Sequence, residues 1–190
     1  MWLVDVSKAA GKAILEIYDS HQFDVEAEIE TKGDGSPLTL ADRKSHQVIQ
    51  SELNQRYPGV PVLSEEGQDI SWDERQKFKR YWLVDPLDGT KEFVKRNGEF
   101  TVNIALIENG QPVLGVVHSP VSDITYFGGG KNGAFKIAGD KKESISVKKA
   151  QKNWRVVGSR SHPSAELEGC LLYTSPSPRD LSTSRMPSSA

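Results

Sequence analysis

The stretch "FTVNIALIENGQPVLGVVHS", residues 100–119, constrains the fold more than any other. Two runs rich in Val and Ile flank Asn109-Gly110. Asn-Gly suits the two-residue hairpin turn, whose central residues both need positive φ. The segment therefore reads as two antiparallel strands. "ITYFGGG" and "GAFKI" repeat the pattern as a second hairpin, "SISVKK" adds a further strand, and "YWLVD" supplies one before the first hairpin. Upstream, Val6, Ala10, Ala13, Ile14 and Ile17 recur at helical spacing, weakened modestly by Gly11. "ETKGDGSPLTLAD" is a loop by its glycines and Pro37. Thr39 fits the N-cap of a second helix through Val48, Ile49 and Leu53 that stops at Tyr57-Pro58-Gly59. Two helices followed by hairpins predict an α+β fold with a largely antiparallel sheet.

The chain has 190 residues and a net charge of −2, which gives no general electrostatic reason to expect a nucleic-acid or membrane partner. No apolar stretch approaches the roughly 18 residues of a spanning helix. The N-terminus lacks the basic-then-apolar order of a signal peptide. Cys170 is the single cysteine, so zinc-type cysteine spacing and an internal disulfide are both excluded. His21, His46, His118 and His162 show no metal-like spacing and read as structural or surface residues. The expectation is a soluble cytoplasmic protein, with peripheral attachment to the inner face of a bacterial membrane as the alternative. Oligomeric state is not legible.

Chemistry concentrates in "YWLVDPLDGTKEF", residues 81–93. An apolar run ends in Asp85, turns through Pro86 and Leu87, and meets a second acid at Asp88. Two neighbouring carboxylates and the Leu87 carbonyl are hard oxygen ligands, suited to magnesium or manganese. Glu65 and Glu66 end another predicted strand, "VPVLSEEG", and could add carboxylate oxygens. The competing reading of Asp85 and Asp88 is a β-turn held by a side-chain hydrogen bond. Gly89 permits close backbone approach, and a helical turn starting at Thr90 would direct free N–H groups at an anion. The Thr90 hydroxyl could orient a water or simply cap the turn, and the two roles are compatible.

Phosphatases of the haloacid-dehalogenase type use similar letters, an apolar strand ending D-x-D-G-T. Here the spacing is D-x-x-D-G-T. On a regular strand residues i and i+3 do not share a face, so the chain must turn between the acids.

"LSEEG", "RYWLVDPLDGTKEFVKRNGEFTVNIALI", "GVVHSP" and "SPLTLAD" resemble bacterial 3′(2′),5′-bisphosphate nucleotidases of the CysQ type. These belong to the magnesium-dependent, lithium-sensitive phosphatases typified by inositol monophosphatase. The resemblance runs from about residue 8 to about residue 168. It implies a layered α+β sandwich and hydrolysis of adenosine 3′,5′-bisphosphate to AMP and phosphate, without a phosphoenzyme. It further implies that Glu65, Asp85, the Leu87 carbonyl and Asp88 hold metal, and that Gly89 and Thr90 bind phosphate through backbone N–H groups. Thr90 and Asp42 would activate the attacking water. Asp42 has a rival reading, stabilising a helix N-terminus. Two Mg2+ ions are implied, with a third near Glu66, or Mn2+, as alternatives. Lys32 and Asp34 fall in the loop that folds over the site in these phosphatases. Lys91, Lys95 and Arg96 could attract a second substrate phosphate or form a solvated cationic face. An inositol or fructose phosphatase shares the metal chemistry but is disfavoured by "KEFVKRNGEF".

The family's second half carries a W-D-x-A-A-G-like motif that supplies a second-metal aspartate, and this chain has none; Trp72-Asp73 does not match it. The expected organisation is a metal- and phosphate-binding domain over residues 1–150 and the start of a truncated α/β domain over 151–168, opened by the strand "RVVGSRSH". Residues 169–190 are rich in Ser, Thr and Pro and are expected to be a disordered, non-native tail. A fragment that binds magnesium weakly and catalyses nothing is the competing expectation for this chain.

Overall fold

The computed structural model describes residues 1–20, 30–31, 37–38, 40–130 and 133–147. The chain divides into a unit of Met1–Ser146 and a second of Val147–Ala190, and the description below concerns the first. The strand expected at 155–162, the tail, the cap at Thr39, the loop residues Lys32 and Asp34, and His21, His162 and Cys170 lie outside the described residues.

Helix α1 (Trp2–Tyr18) buries Leu3, Val4, Val6, Ala10 and Ile14 along one side, the stripe its apolar spacing predicts. After the short strands β1 (Glu30–Thr31) and β2 (Pro37–Leu38), α2 (Leu40–Arg56) buries Ala41, Ile49 and Leu53. The remaining elements are β3 (Val62–Ser64), α3 (Trp72–Arg75), β4 (Arg80–Asp88), α4 (Thr90–Val94), β5 (Thr101–Glu108), β6 (Gln111–Ser119), β7 (Ile124–Gly128), β8 (Ala134–Ala138) and β9 (Lys141–Ile145). Ser71 caps α3 by accepting from the Glu74 amide.

β3 to β9 form one sheet in sequence order. Only β3–β4 is parallel; β4 to β9 run as an antiparallel meander. Asn109 and Gly110 take positive φ at the β5–β6 turn, as the dipeptide requires. Among the described residues the last strand is Lys141–Ile145, which shares only Ser144 and Ile145 with the expected "SISVKK"; Lys148 and Lys149 of that run lie outside the described residues. Gly139, at φ 55°, closes a tight turn with Asp140, so pairing with β8 begins immediately at Lys141.

The two long helices cover one face of the sheet. Trp82, Val84, Val102, Ile104 and Val116 join the helix residues in a single core. Gly11 lets α1 lie against the sheet: a β-carbon there would stand 2.7 Å from the ring of His118. That histidine is buried and hydrogen-bonded through Nδ1 to the Thr125 hydroxyl at 2.9 Å, and burial holds it below the usual imidazole range. The opposite face is open, with Leu83 49%, Val117 41% and Tyr126 43% exposed. Alternating strand residues send one set to the helices and the other to this face. The open face carries a groove of about 800 Å³, whose lining includes Leu83, Val117 and Tyr126 together with Glu65, Asp85 and Asn103.

Candidate metal and phosphate site

β4 does not stop at Asp85; it continues to Asp88. Its pairing with β5 shifts on the way: Asp85 lies opposite Asn103, and Asp88 opposite Thr101. Two residues of β4, Pro86 and Leu87, therefore face one residue of β5. That is a β-bulge. Asn103 and Thr101 are two apart and share a face, so their partners Asp85 and Asp88 share it too. The extra residue removes the mismatch that three-residue spacing creates on a regular strand. Pro86 and Leu87 are buried on the way. The turn expected between the acids is thus a bulge within the strand.

Glu65 reaches the same edge by a different route. β3 runs parallel to β4 with Ser64 beside Val84, and the Glu65 amide donates to the Val84 carbonyl at 3.2 Å. Continuing the register places Glu65 next to Asp85. α2 braces both strand ends. The buried Ser45 hydroxyl donates to the Pro86 carbonyl at 2.7 Å, and His46 Nδ1 lies 2.8 Å from Ser64 Oγ. Burial lowers the His46 pKa, with Glu66 opposing the shift, so the ring is neutral near neutral pH. Asp42, one turn before Ser45, is 2% exposed.

Among the described residues, the side chains as placed form no group of three or more His, Cys, Asp or Glu able to hold a metal. The backbone brings Glu65, Asp85 and Asp88 to neighbouring positions while the carboxylates stand apart. Asp88 takes the Asn103 amide through one oxygen. One oxygen of each of Asp42, Glu66 and Asp85 is shielded from solvent and accepts no hydrogen bond, although each residue has another interaction. The donor set of three carboxylates and a backbone carbonyl is oxygen only, which fits a hard divalent cation and not zinc.

Gly89 leads from the acids into α4. Its φ is 97°, and a β-carbon there would sit 3.0 Å from the Glu99 carbonyl oxygen and 3.3 Å from Phe100. Thr90 is the first helical residue, as expected, and the first amides of a helix have no partner within it. The Thr90 hydroxyl donates to the Leu87 carbonyl at 3.3 Å. Phe93 and Phe100, both fully buried, meet Tyr18 at ring distances of 5.2 and 5.1 Å and each other at 5.3 Å, fixing α4 to the core. Gly89→Ala is expected to lower unfolding stability by about 1–3 kcal/mol, combining left-handed strain and overpacking. A urea midpoint equal to that of the unmutated chain would show that this conformation is dispensable.

Arg96, a candidate for attracting a second phosphate or for a solvated cationic face, is engaged by the end of α1. Its Nη1 donates to the Tyr18 carbonyl at 2.6 Å, and its guanidinium lies 4.5 Å from the Tyr18 ring centre. It caps the C-terminal end of α1. Lys91 and Lys95 are exposed. Asn103 and Ser45, which hold the acidic segment, were missed by the sequence reading. A signal was present for Asn103: it is the polar residue between apolar ones in "TVNIALI".

A profile of the inositol monophosphatase family matches residues 2–181, past the point where the motif resemblance stops. The chain is 47% identical over 166 residues to the 3′(2′),5′-bisphosphate nucleotidase CysQ of Escherichia coli K12, covering 87% of this chain and 65% of that protein. For the protein of the same name from Salmonella typhimurium LT2 the identity is 48% over 162 residues, covering 85% and 63%. The crystal structure of CysQ from Bacteroides thetaiotaomicron, described as a bacterial member of the inositol monophosphatase family, superposes with a TM-score of 0.76. It is 41% identical and covers 90% of this chain and 65% of that one. A SuhB structure from Bartonella henselae gives a TM-score of 0.64 at 29% identity, covering 77% and 54%. The chain thus spans just under two thirds of the length of the CysQ relatives and just over half of the SuhB chain.

Proposed function

This chain belongs to the inositol monophosphatase family, and from that premise we propose that its parent protein is a magnesium-dependent phosphomonoesterase that hydrolyses adenosine 3′,5′-bisphosphate to AMP and phosphate. The observation that carries the reading is the bulge at Pro86-Leu87. It turns Asp85 and Asp88 to one face, beside Glu65 and ahead of the helix start at Thr90. The choice of a bisphosphonucleotide rests on the similarity to the nucleotidases.

Glu65, Asp85, Asp88 and the Leu87 carbonyl would hold two Mg2+ ions. When bound, these ions supply a more acidic water and stabilise charge on the leaving ribose oxygen. The backbone N–H groups at Gly89 and Thr90 hold the phosphate that is attacked, with Gly89 admitting it closely to the main chain. The Thr90 hydroxyl orients the water, and the Asp42 carboxylate takes its proton through Thr90. Burial of Asp42 keeps bulk water from competing for that role. A second-metal aspartate would come from sequence beyond this domain, so the domain alone is expected to turn over substrate poorly. Among the described residues no helix is long and apolar enough to cross a membrane. From the similarity to the nucleotidases we place the activity in the cytoplasm, in nucleotide recycling during sulfur assimilation.

The test is phosphate release by the chain extended to the length of its relatives, with adenosine 3′,5′-bisphosphate, inositol 1-phosphate and fructose 1,6-bisphosphate compared. The expected result is preference for the nucleotide, dependence on Mg2+ and inhibition by Li+. Full activity in excess chelator would overturn the mechanism, and preference for a sugar phosphate would overturn the substrate.

A further inference from the structure

We propose that Asn103 is a positioning residue that presents Asp88 to the metal, held in turn by Thr101. The inference rests on the reading of Asp88 as a cation ligand. Asn103 Nδ2 donates to Asp88 Oδ2 at 3.0 Å. Thr101 Oγ1 donates to Asn103 Oδ1 at 3.1 Å. A carboxylate can only accept, so the amide nitrogen must face Asp88, and its carbonyl oxygen then faces a hydroxyl able to donate. The three groups form a chain with one consistent direction of donation, and the orientation of the amide follows from it.

The register explains why this residue holds that position. Asn103 stands directly opposite Asp85, yet its bond crosses to Asp88. One side chain therefore spans both acids of the bulge. Asp88 is exposed, so its rotamer is set more by hydrogen bonding than by burial. The amide sets it by engaging one oxygen, which leaves the other for a cation. A ligand oriented in advance loses less rotamer freedom on binding, and partners that orient metal ligands typically govern affinity by about 10–100-fold.

The test uses the full chain and Mn2+ as probe, with affinity measured by titration calorimetry and the metal-free melting temperature recorded alongside. Asn103→Leu keeps the branched shape and number of heavy atoms and removes the hydrogen bonds; Leu83 and Ala105 are the neighbouring pair on the open face, where the bulkier methyl groups can be accommodated. The expected result is Mn2+ affinity weakened by about 10–100-fold with the metal-free melting temperature nearly unchanged. Thr101→Val should weaken affinity less, because it frees the amide without removing the donor to Asp88. If the leucine variant does not fold, the valine variant decides: unchanged affinity there overturns the proposal. Unchanged affinity in folded Asn103→Leu overturns it as well. So does a loss matched by an equal fall in metal-free stability, which would make Asn103 merely structural. Failure of the unmutated chain to bind Mn2+ would overturn the metal site itself, and this inference with it.

Discussion

Asp85→Asn, in the chain extended to the length of its relatives, is expected to lower kcat/KM for adenosine 3′,5′-bisphosphate by at least about 10³-fold, equivalent to about 4 kcal/mol of transition-state stabilisation. The amide has the same shape and still accepts through its carbonyl oxygen. On the proposed mechanism, what it loses is a negative charge at the place where two cations would be held close together. The same change should act oppositely on the metal-free protein. Asp85 shares a face with Asp88 and neighbours Glu65, and removing one of three like charges relieves repulsion. The variant should thus melt at the same or a higher temperature without metal, and gain less from added Mg2+, since stabilisation by a ligand follows its affinity for the folded state. Thermal melts with and without Mg2+ check this independently of catalysis. Retention of both rate and Mg2+ stabilisation would remove Asp85 from the metal site.

Thr90→Ala should cost about 10²–10⁴-fold in kcat if its hydroxyl takes part in activating water. KM should change little, because in the proposed site the phosphate is held by backbone N–H groups that the substitution leaves in place. The hydroxyl donates to the Leu87 carbonyl over a long 3.3 Å, a bond weak enough to be exchanged for one to the Asp42 carboxylate while the hydroxyl oxygen accepts from the water. Thr90→Ser keeps the hydroxyl and should restore most of the rate. Comparable losses in the alanine and serine variants would show that the methyl group, and hence packing, carries the effect. A loss confined to KM would make Thr90 a phosphate-binding residue only.

Much of the fold was legible because the signals are local. The Asn109-Gly110 turn, the apolar stripe of α1 and the Pro58-Gly59 stop after α2 each act through a few adjacent residues. The start of a helix at Thr90 was legible for the same reason: Gly89 is the residue that tolerates the left-handed backbone before it. The shift of the last strand to Lys141–Ile145 shows the limit. "SISVKK" has strand-forming residues, but which of them pair is decided by a tight turn at Gly139-Asp140 and by the register of β8.

The site divides along the same line. By itself, the sequence singled out the candidate residues: Glu65 at one strand end, Asp85 and Asp88 at another, and Gly89-Thr90 after them. It also supplied an oxygen-only set of candidate donors, of the kind that suits magnesium. Only the tertiary structure decided how acids three residues apart come to one face, since the bulge exists only in the pairing of β4 with β5. The parallel pairing of β3, the Ser45 bond to Pro86, the Asn103 bond to Asp88 and the Arg96 bond to Tyr18 were equally out of reach. Each joins segments between 15 and 78 residues apart. A sequence states the chemistry of every group locally, but strand register and cross-strand partners are set by the packing of the whole sheet.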